Sequence, residues 1–332
     1  MRNLLLAAAA VTALSAAGAQ AQDDFVPAVV FDMGGKFDRS FNEGIFNGVS
    51  QFSEETGIEF KEFEVTNESQ REQALRRMAR DGADVVIAVG FAQAPALEVV
   101  AQEFPDTMFT IIDMVVDLPN VQSVVFNEHE GSFLVGVLAA MASQTGSVGF
   151  VGGMDIPLIS KFACGYHQGA AYVNADIGYF ENMTGTTPAA WNDPAKGAEL
   201  AQSQFDRGAD VVYAAAGATG LGVLQAAADA GKLAIGVDSN QNYLYPGIVL
   251  TSMLKRVDVA AYNAFQTAYD GTWQPGVQVL GLAEEGVGWA LDENNESLIT
   301  DEMKAAVETA RAGIIAGEIE VHDYTVDNSC PL

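Results

Sequence analysis

Arg80-Asp81-Gly82-Ala83-Asp84-Val85-Val86 returns as Asp206-Arg207-Gly208-Ala209-Asp210-Val211-Val212, 126 residues further on (Gly82 to Gly208). Each copy leads from the end of a helical pattern into a buried apolar strand. One Gly-Ala-Asp-Val-Val is a common entry to a strand and decides nothing alone. Two further pairs keep the same order. Met108–Asp113 and Leu233–Asp238 are strands ending in aspartate, 125 residues apart (Asp113 to Asp238). Gly34-Gly35 after Ala28–Asp32 is answered by Gly152-Gly153 after Val148–Val151, 118 residues apart (Gly34 to Gly152). Three landmarks at nearly constant spacing imply two lobes of the same build.

Between these landmarks, strand and helix patterns alternate. Asn42–Thr56 reads as a helix with Phe46, Val49 and Phe52 at helical spacing, and 70–81 and 94–104 read likewise. Ala83–Gly90, Met108–Asp113 and Val121–Phe126 are continuous apolar runs. Such runs, separated by amphipathic helices, argue an α/β fold with a parallel, doubly wound sheet. The whole chain of 332 residues is too long for one ordinary core.

Charge narrows the function classes. Sixteen basic residues stand against 44 acidic ones, a net charge of −28. That surface repels phosphate backbones and anionic lipid heads, so no nucleic-acid partner and no membrane surface is expected. The N-terminus reads as a signal peptide over 1–21. Arg2 is its positive end, Leu4 to Ala17 its apolar run, and Ala19-Gln20-Ala21 its cleavage site. No cysteine stands at that site for a lipid anchor, so a periplasmic protein without membrane insertion is expected. In an oxidising compartment Cys164 and Cys330 are expected to form a structural disulfide, the alternative being two unpaired thiols.

In open parallel sheets ligands bind beyond the carboxyl ends of the strands. Two facing lobes would line one cleft with Asp32, Gly90, Phe91, Asp113, Phe126, Trp191, Gly217 and Asp238. A strand-end aspartate is also an ordinary helix cap or turn residue, so Asp113 and Asp238 gain interest mainly as a matched pair. The densest stretch runs from Asp32 to Gly44, Asp-Met-Gly-Gly-Lys-Phe-Asp-Arg-Ser-Phe-Asn-Glu-Gly. It lacks the glycine spacing of a phosphate cradle. His129, His167 and His322 lack metal spacing, and no serine or cysteine sits in a nucleophile elbow.

Val30-Phe31-Asp32-Met33-Gly34-Gly35 running into Asp38-Arg39-Ser40-Phe41-Asn42 resembles the signature of the basic membrane protein family of ABC-importer substrate-binding proteins. The resemblance continues through Gly90-Phe91, Ile111-Ile112-Asp113, Val151-Gly152-Gly153-Met154 and Trp191-Asn192-Asp193-Pro194. It goes on through Ala216 to Gly222, Ile235-Gly236-Val237-Asp238 and Thr251-Ser252-Met253-Leu254-Lys255, covering nearly the whole mature chain. It implies a type I periplasmic-binding-protein fold with three crossovers. Lobe 1 would comprise 25–146 plus about 254–275, and lobe 2 would comprise 147–253 plus about 276–332.

The resemblance also implies a nucleoside ligand, with purine favoured. Phe41 would stack on the base, while Asp32, Asn42, Asp113, Asp238 and Lys255 hydrogen-bond base or ribose. Phe91, Trp191 and Tyr213 are candidates for a second stacking ring. Where many relatives carry a second acid after the residue matching Asp238, this chain has Ser239-Asn240-Gln241. No cofactor and no catalysis is implied. The expected partner is an ABC permease, and the expected state a monomer. A receptor for a free sugar or a flavin is the alternative, and a nucleoside hydrolase a more distant one.

Overall fold

The apolar runs become two six-stranded sheets in the computed structural model, which describes residues 25–332. The expected signal peptide lies outside the described residues. In the first half β1 (Pro27–Phe31), α1 (Phe41–Thr56), β2 (Lys61–Glu64), α2 (Arg71–Arg80), β3 (Val85–Val89), α3 (Ala94–Glu103), β4 (Met108–Ile112) and β5 (Val121–Phe126) alternate. β3 is buried at every position, as a strand covered on both faces must be. After α4 (Glu128–Ala142) the pattern repeats. β6 (Ser147–Met154), α5 (Pro157–Val173), β7 (Gly178–Gly185), α6 (Pro194–Asp206), β8 (Val211–Ala215), α7 (Gly220–Ala230), β9 (Leu233–Asp238) and β10 (Val249–Lys255) follow. The chain closes with α8 (Val257–Tyr269), β11 (Gly276–Leu280), β12 (Val287–Trp289) and α9 (Asp301–Ile315).

The sheets are ordered β11-β5-β4-β3-β1-β2 and β12-β10-β9-β8-β6-β7, the same sequence once each strand is matched to its counterpart. The sixth strands differ in sense: β11 runs parallel to β5, whereas β12 runs antiparallel to β10. In both sheets the order reverses beside the first strand of the lobe, at β1/β3 and β6/β8. That is the crevice where such sheets take ligands.

The structure departs from the sequence reading in two segments of the lobe division. Residues 128–142 form α4, which packs against α5, β10 and α9 of the second lobe, because the chain crosses over directly after β5. Residues 276–280 form β11 in the first sheet, drawn there by backbone pairing with β5 from Gln122 to Phe126. Gly152 and Gly153 also lie inside β6 and do not form a turn. A Cβ on Gly152 would sit 2.3 Å from the Met183 sulfur, so the strand needs glycine there for packing.

Helix α5 lies directly on α4. A Cβ on Gly165 or Gly169 would stand 2.3 or 2.0 Å from the carbonyl oxygens of His129 or Phe133. Cys164 on α5 is bonded to Cys330, tying the last residues of the chain to this helix. Among the described residues, no helix is long and apolar enough to cross a membrane.

Candidate functional site

All nine candidate residues, Asp32, Phe41, Asn42, Phe91, Asp113, Trp191, Gly217, Asp238 and Lys255, line one cavity between the lobes. The cavity and the open solvent at its mouth together occupy ≈ 670 Å³, and Leu158, Ile159 and Phe162 of α5 form an apolar wall. Asp32, Phe91 and Asp113 follow β1, β3 and β4, while Asp238 and Lys255 end β9 and β10. Asp113 and Asp238 both adopt left-handed backbone angles, φ 74° and 62°. The duplication thus extends to a strained conformation that aspartate tolerates better than most residues. Tyr213 is not at the site. It is fully buried in the second lobe, its ring 5.4 and 5.2 Å from those of Phe150 and Tyr166.

The first lobe presents its residues from the start of α1. Buried Asp38 caps that helix, accepting from the backbone N–H groups of Ser40 (2.8 Å), Asn42 (3.0 Å) and Glu43 (3.1 Å). The cap holds Phe41 and Asn42 toward the cavity, where Asn42 Oδ1 is buried with no protein partner. Asp32 is paired with Arg71 at 3.0 Å. Burial outweighs Arg71 and raises the Asp32 pKa. From the second lobe Trp191 lies against the strand backbone. A Cβ on Gly153 would stand 2.1 Å from the indole ring, so glycine makes room for it.

Lys255 is the electrostatic centre. Its ammonium is 2.7 Å from Asp113 and 2.9 Å from Glu128 Oε1, and 5.3, 5.1 and 5.5 Å from the ring centres of Phe41, Phe126 and Phe162. Burial opposes its charge, but Asp113, Glu128 and Asp238 together raise its pKa. The two carboxylates share it unequally. Burial raises the Asp113 pKa and outweighs Lys255, with the Glu128 charge adding to the rise. Burial also pushes Glu128 upward, but Lys255 and Lys161 together hold it low.

Across the cleft, Ser40 Oγ donates to the Asp238 carboxylate. Ser239 Oγ donates to the Ser40 carbonyl at 3.1 Å, and Gln241 Nε2 to the Arg39 carbonyl at 2.9 Å. The Ser239-Asn240-Gln241 segment after Asp238 therefore bridges the lobes. Asp38, Ser40, Arg71 and Glu128 were not singled out from sequence as site residues. An Asp and a Ser just before a helix start are a capping signal that would have marked the first two. No local signal marks Arg71 or Glu128, whose partners are distant in sequence.

Burial pushes Asp38 and Asp238 up to about 6, against about 3.9 in an unfolded chain. A raised folded pKa means that the folded protein holds the proton more tightly. The stability these groups contribute is therefore present below pH ~4 and lost as pH rises through 6. Urea unfolding of the ligand-free protein between pH 4 and 7 should show this decline, and Asp238→Asn should flatten it.

A family model described as ABC transporter substrate-binding protein PnrA-like (Bmp) matches residues 25–325. An uncharacterized lipoprotein of Pyrococcus horikoshii is 35% identical over 278 residues, which are 80% of this chain and 69% of the relative. The ABC transporter nucleoside-binding protein BmpA of Lactococcus lactis is 31% identical over 330 residues, 92% of each chain. A crystal structure of an ABC transporter solute-binding protein from Aeropyrum pernix superposes with a TM-score of 0.83. It is 30% identical and covers 90% of this chain and 93% of its own.

Proposed function

The chain belongs to the Bmp family of PnrA-like ABC transporter substrate-binding proteins, and we propose that it captures a nucleoside, purine by preference, and delivers it to a membrane permease. One observation carries the reading. Phe41, Phe91 and Trp191 bring aromatic rings to the same cavity as Asp113, Asp238 and the unpartnered oxygen of Asn42. Rings suit a base, which contributes about 1–3 kcal/mol by stacking. Carboxylates suit vicinal ribose hydroxyls, each charge-assisted bond contributing about 1.5–3 kcal/mol. The name of the Lactococcus relative supports the same ligand class.

The carboxylates disfavour a phosphorylated ligand. Among the described residues, Asp38 and Asp238 have no cationic side chain as a hydrogen-bond partner, and Lys255, the one ammonium lining the cavity, is already shared by Asp113 and Glu128. The ligand first settles against Phe41 and Asn42 of the first lobe. Asp238 then closes from the second, and contacts made only in the closed state shift the hinge equilibrium. Export to the periplasm as a cleaved, monomeric receptor completes the proposal.

Calorimetric titration of protein stripped by unfolding and refolding tests it, with adenosine, guanosine, inosine, uridine and ribose as ligands. Tight binding of nucleosides without ribose is expected. Binding of ribose alone would replace the nucleoside with a sugar. Release of free base from a bound nucleoside would make the protein a hydrolase.

A further inference from the structure

One face of α5 holds the C-terminal tail at three places. Lys161 Nζ lies 3.2 Å from Asp323 Oδ2. Cys164 is bonded to Cys330. The Gln168 amide pairs with both backbone groups of His322, at 2.9 and 3.0 Å. Nothing in ligand capture by itself explains why a tail beyond the last helix is pinned so firmly.

The tail's aspartate completes a line of alternating charge that ends in the cavity. Lys161 donates to the Phe126 carbonyl at 2.8 Å and is ion-paired with Glu128 Oε2 at 3.1 Å. Glu128 Oε1 takes Lys255 at 2.9 Å, and Lys255 takes Asp113 at 2.7 Å. The side chains of Lys161, Glu128, Lys255 and Asp113 are 10%, 1%, 2% and 7% exposed and that of Asp323 24%, so solvent and salt screen the line weakly inside its outer end. The Lys161 ammonium therefore sits between one carbonyl oxygen and two carboxylates, Phe126 at 2.8 Å, Glu128 at 3.1 Å and Asp323 at 3.2 Å. Without Asp323, Lys161 would have only Glu128 as counter-charge and would draw that carboxylate away from Lys255. His129, 4.0 Å from Asp323, is held largely neutral by burial, its pKa lowered to about 4, and does not replace Lys161.

We propose that Asp323 is a positioning residue of the ligand site: anchored by the Cys164–Cys330 disulfide and the Gln168 clamp, it sets Lys255 against Asp113 through Lys161 and Glu128. The inference rests on the reading that this cavity binds the ligand.

The test pairs affinity with a signal that needs no ligand. Asp323→Asn should bind the best nucleoside of the titration panel about threefold to thirtyfold more weakly. It should also move the Lys255 ammonium resonance in 15N spectra, assigned by its absence from Lys255→Arg. Asp323→Glu should restore both. Cys330→Ser, which frees the tail without touching the line, should move both in the same direction and serves if Asp323→Asn fails to fold. Unchanged affinity overturns the proposal, as does weakened affinity with the Lys255 signal unmoved. If the wild-type protein binds none of the panel, the nucleoside reading fails separately. The resonance then decides alone: moved, the positioning line stands; unmoved, it falls.

Discussion

Lys255→Met is expected to cost about 3–5 kcal/mol of unfolding free energy, the largest stability loss of any single change at the site. The lysine is buried with Asp113 at 2.7 Å and Glu128 at 2.9 Å. Its removal leaves Asp113 with no cation and Glu128 with Lys161 alone. The loss comes less from attraction forgone than from carboxylate charge left in a dry environment. A second substitution, Asp113→Asn, should therefore recover part of the loss by removing the stranded charge, at a backbone angle (φ 74°) that asparagine also accepts. Urea denaturation of the three ligand-free proteins measures it. A loss below about 1 kcal/mol, within the range of surface ion pairs, would show that the carboxylates had simply taken up protons.

Asp238→Asn is expected to weaken nucleoside binding by about ten- to a hundredfold, the equivalent of one charge-assisted hydrogen bond. Asp238 is held ready by Ser40 Oγ from the opposite lobe and sits at φ 62°, where asparagine is as comfortable as aspartate. Asp238→Ala should weaken binding further, since it removes the cross-cleft acceptor altogether. Alanine at that backbone angle adds about 1–2 kcal/mol of strain. Asparagine is thus the cleaner probe of the charge. Calorimetry gives the affinity and thermal unfolding of the stripped protein gives the control. A large fall in unliganded stability for Asp238→Asn would mark the residue as part of the scaffold and leave the ligand role to Asp113 and Asn42.

Much of this was readable in one dimension. The 125-residue spacing of Asp113 and Asp238 was a sequence observation, and the two residues occupy equivalent strand ends in sheets of equivalent order. Asn42–Thr56 could be outlined as a helix, one residue short of its observed start at Phe41, because its pattern is local. The cavity lining was legible for the same reason: in a doubly wound sheet, a residue that ends a strand is already at the ligand edge. Tyr213 failed as a candidate because it lies within a strand, where the side chain enters the core.

What the sequence by itself determined is the order of strands and helices, the duplication and the strand-end residues. All of these follow from short-range periodicity and from backbone angles that glycine and aspartate accept. Tertiary structure alone decided which lobe receives α4 and β11. It also joined Lys255 to Asp113 across 142 residues and Ser40 to Asp238 across 198. Those pairings depend on which buried charges and unpaired strand edges meet after the lobes have folded. Their energy comes from desolvation and long-range approach, and neither leaves a period in the sequence.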